Sequence, residues 1–418
     1  MLAVLRRRNF AMLWLGQLVS QIGDMVLIIA LPFYVYQLTG SLLQTGLMYI
    51  VETLPRILLG SLAGVFVDRW DRRWTMIVAD LGRAAVLLLL VHAPADLWLI
   101  YVVAGIQSVI SLFFAPALSA ITPTLVDEHQ LVAANSLQSV SESLMRFVGP
   151  PLGGGLLALV GLAGVVLVDS ASFLISALML VSISVPGPAL ADAPRANRIG
   201  ALWAQVWYEW LDGLRLVRER PILTALFVIL GLFAFSGGLA AAPLIAFVRE
   251  VMGGTALTMA WMAMAQGTGS LLGASLVGRA MMIVRPAYLV GVPLVVAGCV
   301  VMLFVNIPTL VVVLPLITLM GVLIVGFFVT TQTLLQLNVG DQYRGRVASA
   351  LGTTTALLGL LGMLTASVLG DWTGPVRLLD GTAILHILAG IVAMALLRDS
   401  RMRSSQAPTA LVIQEASS

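Results

Sequence analysis

Residues 308–336 read PTLVVVLPLITLMGVLIVGFFVTTQTLLQ, a run without one ionisable side chain. It is longer than the roughly 20 apolar residues an α-helix needs to cross a hydrocarbon core about 30 Å thick. Lipid offers no partner to an unpaired backbone N–H or C=O, so a chain enters it as a helix or as a closed barrel. Nothing in this run alternates between apolar and polar, and the helix is the structure it fits. Working outward, segments of the same kind recur at 10–38, 43–67, 75–93, 97–119, 138–160, 163–185, 222–249, 256–283, 286–305, 346–369 and 378–397. Twelve such segments, separated by short charged runs, predict an all-α membrane protein with twelve transmembrane helices.

Composition agrees with this reading. Of the 418 residues 60% are hydrophobic and 10% charged, and the mean hydropathy is +1.02. A soluble domain of this composition would expose apolar patches too large for a monomer in water. Basic and acidic residues nearly balance, 23 against 20, so no nucleic-acid partner is expected; the partners foreseen are a small amphiphilic molecule, protons and membrane lipids, with the chain a monomer. Every basic residue is Arg. The lone cysteine, Cys299, can form no internal disulfide and is expected to be a small packing residue. Arg6, Arg7 and Arg8 precede a segment too long for a signal sequence, so the first helix is expected to be retained.

The arginines set the topology. With twelve alternating spans, Arg6, Arg7, Arg8, Arg69, Arg72, Arg73, Arg195, Arg198, Arg215, Arg218, Arg220, Arg279, Arg285, Arg344, Arg346, Arg398, Arg401 and Arg403 fall on one side, and only Arg249 and Arg377 on the other. The bias predicts a multi-pass protein of the inner membrane with both termini cytoplasmic. Residues 186–221 open with Pro186, Gly187, Pro188 and Pro194, and they divide the chain into bundles at 1–185 and 222–400. Trp203, Val206, Trp207, Trp210, Leu214 and Val217 within this linker have helical spacing. Two placements suit them equally, the inner membrane surface or the protein's own cytoplasmic face. The tail, 401–418, is expected to be disordered. Gly60-Ser61-Leu62-Ala63-Gly64 recurs as Gly269-Ser270-Leu271-Leu272-Gly273, and Thr122, Thr124, Leu125 as Thr331, Thr333, Leu334, both at an offset of about 209 residues. A duplicated six-helix unit predicts two pseudo-symmetric bundles with a site between them, suited to alternating access.

The second segment ends in Gly64-Val65-Phe66-Val67-Asp68-Arg69-Trp70-Asp71-Arg72-Arg73. This resembles the loop signature Gly-x-x-x-Asp-Arg-x-x-Arg-Arg/Lys of the major facilitator superfamily. The resemblance implies a latch between bundles, with Asp68 as its acid, Arg72 as its basic partner, and Gly64, Arg69 and Arg73 as the rest of the gating motif. Asp71 stands where the family usually has Gly, which puts the tightness of the turn in question. The fifth segment carries Arg146-Phe147-Val148-Gly149-Pro150-Pro151-Leu152-Gly153-Gly154-Gly155, similar to the Gly-Pro-x-x-Gly-Gly signature of drug:proton antiporters. Arg146, Gly149, Pro150, Gly153 and Gly154 are its matching positions; prolines there bend a helix, and glycines admit a close neighbour. Asn9-Phe10, Leu13-Trp14-Leu15-Gly16-Gln17, Gly23-Asp24, Phe114-Ala115-Pro116-Ala117 and Ala134-Asn135-Ser136-Leu137 look like the macrolide-efflux and siderophore-export branch.

Eight ionisable residues fall inside segments: Asp24, Glu52, Arg56, Asp80, Arg83, Glu142, Arg146 and Asp169. Each costs about 2.5–3.5 kcal/mol at mid-bilayer unless paired or hydrated. Spacing pairs Glu52 with Arg56, Asp80 with Arg83 and Glu142 with Arg146, leaving Asp24 and Asp169. Asp169 lies about 10 Å below the outer surface, at 1.5 Å per residue, and is expected to hydrate there. Asp24 shares a stripe with Gln17 and Gln21, and a lone buried carboxylate disfavours its charged form, as proton coupling requires. It is the first choice for that role, with an ion pair to a neighbouring helix as the alternative; Glu52 is the second. Gln17, Gln21, Asp24, Tyr49, Glu52 and Arg56 in the first half, with Phe235, Trp261 and Gln332 in the second, are the candidate substrate-binding residues.

These features predict a secondary transporter exporting amphiphilic drugs or macrolides against protons. The alternatives are export of a siderophore or lipid-like metabolite, uptake by proton symport, and a receptor or scaffold that transports nothing. No enzyme is expected: His92, His129 and His386 fall near segment ends without metal spacing, and no Walker loop, nucleophile elbow or His-Glu-x-x-His is present. With no cofactor foreseen, the energy source would be the proton gradient.

Overall fold

A computed structural model describes residues 2–67, 70–93, 95–184, 208, 210–211, 215–340 and 343–398. Among these there is no strand. The helices are α1 Arg8–Thr39, α2 Leu42–Val67, α3 Arg72–His92 and α4 Leu97–Leu125, followed by one helical stretch Leu131–Val181 broken at Gly161. Its two arms are α5 (131–160) and α6 (162–181). The second half holds α7 Pro221–Ala246, which runs on through a π turn at Phe247–Val251, then α8 Ala256–Ile283, α9 Pro286–Asn306, α10 Leu310–Asn338, α11 Arg344–Thr373 and α12 Pro375–Leu396. Ten of these helices are long and apolar enough to cross a membrane by length and composition alone.

Local chemistry explains where the helices start and stop. Asp71 and Asp96 cap α3 and α4, accepting from the backbone N–H of Trp74 and of Trp98 and Leu99. Thr255 and Thr258 form a reciprocal capping box on α8. Proline opens α7, α9 and α12, where its missing N–H costs nothing. Gly40 ends α1 at φ 61, its N–H returning to the Tyr36 carbonyl. At Gly161 (φ 65, ψ −176) the chain reverses from α5 to α6 in a single residue, in a region open only to glycine.

Two clusters of side chains fill the end of the protein that carries the N-terminus. One belongs to the first bundle, around Phe10, Met76, Ile121 and Leu180. The other belongs to the second, around Leu226, Val290, Phe327 and Ala393. At the far end one core spans both bundles, joining Val26, Ala30 and Phe33 of α1 to Leu239, Ile245, Ala256 and Ala366, and another, around Phe247, Phe304 and Val313, belongs to the second bundle. The halves are therefore fused at one end and separate at the other. Of the linker's expected helix, Tyr208, Trp210–Leu211 and residues 215–219 are described and helical. Val217 is buried in the second bundle's core with Trp210 and Leu216 against it, so these residues pack on the protein's own face. The rest of the linker and the tail lie outside the described residues.

Two expectations change. Cys299 is exposed on α9 rather than packed. Gly60 has nothing within 4 Å of where a Cβ would be, whereas its repeat partner Gly269 leaves no room against the Thr318 carbonyl. The repeat is sequential without being equivalent in packing. Gly161→Ala should cost about 1–3 kcal/mol, the strain of a residue with a Cβ in that glycine-only region, read as a lowered unfolding temperature in detergent.

Candidate transport site

The first bundle buries a cationic centre among acids. Arg83 on α3 is 4% exposed, and its Nη2 donates to Asp80 Oδ1 at 2.5 Å one turn away. Its guanidinium lies over the rings of Phe173 (α6) and Phe114 (α4), 4.1 and 5.0 Å from the centroids. Each such contact contributes about 0.5–2 kcal/mol when desolvated. Nη1 reaches across to Asp24 Oδ2 on α1 at 3.4 Å. Asp24 is thus not left over, as spacing within one helix had implied. Its partner comes from the neighbouring helix, at the long end of hydrogen-bond range, while 38% of its side chain stays exposed. Gln107 of α4 holds the Arg83 backbone carbonyl at 3.1 Å.

Asp169 on α6 also corrects an expectation. It is fully buried, not hydrated. Its Oδ1 accepts from Ser172 at 3.2 Å, and it occupies the space that a Cβ on Gly23 would take. The residue beside Asp24 is glycine because a carboxylate fills that gap. No signal within one helix could have found this; the Gly23-Asp24 pair was the only trace.

Glu52 and Arg56 stand one turn apart on α2 and interact electrostatically without forming an ion pair. Tyr49, on the same face, adjoins Glu52 and packs on the shared core. Arg56 is exposed and also acts electrostatically on Asp24. Gln17 and Gln21 line a small polar pocket with Trp14, Gln138 and Ser141, where Trp14 donates to Ser141 at 2.9 Å and Gln138 to Thr122 at 3.2 Å. The side chains of Glu142, Arg146 and Pro150 lie outside the described residues.

The second bundle holds a cavity of about 630 Å³ in the half nearer the N-terminus, walled by Leu230, Phe233, Phe328, Gln332, Gln336 and Leu351 among others. Phe233 meets Phe327, Phe328 and His386 at centroid distances of 4.9, 5.4 and 5.5 Å, forming an aromatic cluster. Of the three candidates in this half, Gln332 lies on the cavity wall. Phe235 and Trp261 do not line this cavity: Phe235 packs on the shared core, and Trp261 is exposed on α8. His386 is not near a helix end but buried in the middle of α12, its Nδ1 3.0 Å from Ser236 Oγ. Asp380, also on α12 and not among the eight ionisable residues named from the sequence, has a buried Oδ1.

The signature stretches have visible roles. Asp71, where glycine is usual in the resembled loop, keeps φ at −64 and caps α3, so the turn needs no glycine. Asp68 and Arg69 lie outside the described residues. Arg72 donates to the Ala120 carbonyl at 3.0 Å, and Arg73 to the carbonyls of Leu180 and Val181 at the end of α6. Both are therefore engaged within their own bundle. On α5, a Cβ at Gly149 would overlap Met25, one at Gly153 would come within 2.9 Å of Val26, and one at Gly154 would overlap the Ala256 carbonyl. Two of the motif's glycines seat α5 on α1, and the third seats it on α8 of the other bundle.

A family model described as the Major Facilitator Superfamily matches residues 13–363. The chain belongs to this superfamily. Over 384 residues it is 27% identical to the uncharacterized MFS-type transporter YfiS of Bacillus subtilis, covering 91% of each chain. It is 27% identical over 397 residues to macrolide efflux protein A of Streptococcus pyogenes, covering 91% of this chain and 94% of that one. To the multidrug efflux pump Tap of Mycolicibacterium fortuitum it is 26% identical over 416 residues, covering 94% and 97%. Two solved structures share the fold. One is a bacterial homologue of the iron transporter ferroportin in its inward-facing state (TM-score 0.72, 17% identity, 93% of this chain and 98% of that). The other is a bacterial homologue of the lysosomal transporter Spinster, inward-facing and unoccupied (TM-score 0.73, 15% identity, 93% and 96%). The protein is a multi-pass membrane transporter rather than an enzyme.

In this major facilitator the fused end is also pinned by polar contacts between bundles. Tyr36 donates to Glu250. Asp371 of α11 accepts from Ser41 Oγ at 2.9 Å and from the Leu42 backbone N–H at 2.7 Å. The second bundle thus adds a carboxylate to the N-terminal cap of α2, where Ser41 Oγ also accepts from the Gln44 N–H at 3.3 Å.

Two outcomes follow from this geometry. Arg83→Met should destabilise the protein by about 3–5 kcal/mol, because it leaves Asp80 charged and buried; Asp80→Asn added to it should recover part of the loss in a double-mutant cycle of thermal unfolding. Asp371→Asn weakens the cap, so a cysteine placed at Ser367, under the seal against α2, should react faster with a water-soluble maleimide than in the parent.

Proposed function

We propose that this transporter exports amphiphilic small molecules, drugs or macrolides among them, in exchange for protons by alternating access. The arginine-rich end is taken as cytoplasmic, which makes the conformation described here inward-open and places the protein in the inner membrane with its termini inside. The carrying observation is the contrast between bundles. One presents a partly exposed carboxylate, Asp24, held only by long contacts from Arg83 Nη1 to its two oxygens; the other presents a largely apolar, aromatic cavity with Gln332, Gln336 and Arg344 on its wall. A bulky molecule with a basic amine suits both. Its cation competes with Arg83 and a proton for Asp24, and its apolar body displaces water from the aromatic wall. The relatives named for macrolide and multidrug efflux support the substrate class.

Competition for one carboxylate links the two fluxes, since a site that binds either proton or cation exchanges one for the other. Opening of the cytoplasmic latch at Asp68 and Arg72 would alternate with opening of the Asp371 and Glu250 end. In proteoliposomes with an imposed pH gradient, Asp24→Asn, which mimics the protonated acid, should abolish accumulation of erythromycin while still permitting downhill exchange. Full gradient-driven accumulation by the variant would remove Asp24 from the coupling role. Expression in a susceptible bacterium should raise macrolide resistance with the parent sequence and not with Asp24→Asn.

A further inference from the structure

One buried acid has no part in the exchange just described. Asp169 is closed off on all sides, its Oδ2 meets no hydrogen-bond partner among the described residues, and it lies directly behind Asp24 through the gap at Gly23. Around it stand Asp24 from α1 and Asp80 and Arg83 from α3; Gln107 and Phe114 of α4, neither charged, contact Arg83, and Arg56 of α2 acts on Asp24. Three carboxylates thus surround one buried guanidinium. A bilayer interior does not hold two uncompensated negative charges, so the group carries protons. Asp80 is as buried as Asp169 but is bound closely by Arg83, and Asp24 is partly exposed, which leaves Asp169 as the sealed acid with no close cation to compensate it.

Arg83 Nη2 is bonded to Asp80 Oδ1, and the guanidinium lies over the rings of Phe114 and Phe173. Phe173 sits one turn from Asp169 on α6, so the same ring that supports the guanidinium flanks the sealed acid. The Nη1 contact to Asp24 is long, and Nε has no acceptor.

We propose that Asp169 stores the driving proton and that Arg83 switches between Asp24 and Asp169 to move it. With Arg83 on Asp24, Asp169 is a neutral carboxylic acid. When the guanidinium turns to Asp169, the O–H bond at Asp169 breaks and the proton passes to the freed Asp24 carboxylate, which hands it to cleft water. The charge of the group is unchanged until that last step, so no bare charge crosses the apolar interior. This relay rests on the antiport reading above and extends it: Asp24 is the port and Asp169 the store.

The test uses full-length protein purified in detergent. Infrared difference spectra across a pH titration should show a protonated-carboxyl band that survives above neutrality, is absent in Asp169→Asn, and persists in Asp24→Asn. Gly23→Ala, which pushes Asp169 from its gap without removing it, should shift or broaden the band and flatten the pH profile of proton release. Tetraphenylphosphonium added to weakly buffered parent protein should release protons, and Asp169→Asn should lose at least half of that release while still binding the cation. Full release and an unchanged band in Asp169→Asn would overturn the relay and leave antiport intact. No release from the parent despite cation binding would overturn antiport itself, whatever the band does. If Asp169→Asn fails to fold, the Gly23→Ala band decides, and an unaltered band there overturns the relay.

Discussion

The two bundles are joined through one apolar seal at the end remote from the N-terminus, and the remaining architecture answers to it. Helices from both halves approach there closely enough that Gly154 cannot carry a side chain against Ala256. Dispersion and close contact, not the hydrophobic effect, hold helices together where lipid is the alternative solvent. Small residues therefore decide where the halves touch. At the other end each half keeps its own core. The aromatic cavity opens on the separated side as a consequence.

Charge is divided unequally between the halves. The first bundle concentrates its acids around Arg83; the second meets the cavity with rings, amides and one guanidinium, that of Arg344. The inequality lets one half handle ions and the other adapt to shape, since aromatic walls are tolerant of what they contact. The cost falls on the first bundle, whose buried group is stable only with its protons and partners in register.

Most of the fold was legible in the sequence because lipid imposes a coarse rule: long apolar segments, charges at their ends. Segments such as 256–283 and 286–305 match α8 and α9 to within a residue, and the reversal at Gly161 falls between two expected segments. The site was legible only along single helices. Asp80 and Arg83 are neighbours at helical spacing and pair as expected. Asp24 with Arg83, and Asp169 behind Gly23, are neighbours across helices, where spacing carries no information. His386 went unrecognised because a lone histidine beside a serine and a ring cluster has no pattern in one dimension. Phe235 and Trp261 were placed by residue type, and type does not say which face of a helix meets the cavity.

The cap that Asp371 lends to α2 ties the shape of the protein to water. Ser41 caps the Gln44 N–H from within the same segment, and that bond does not depend on the other half. Here the first turn of α2 has a carboxylate partner only while the halves are closed at that end. Parting them hands the Leu42 N–H and the Asp371 oxygens to solvent, along with the side chains of the seal. The closed and open forms then differ in how many water molecules they hold, and the balance between them becomes a property of the surrounding solution. A medium that withdraws water, through excluded osmolytes, pushes the balance toward closure. The state of the transporter is set partly by the thirst of the medium outside it.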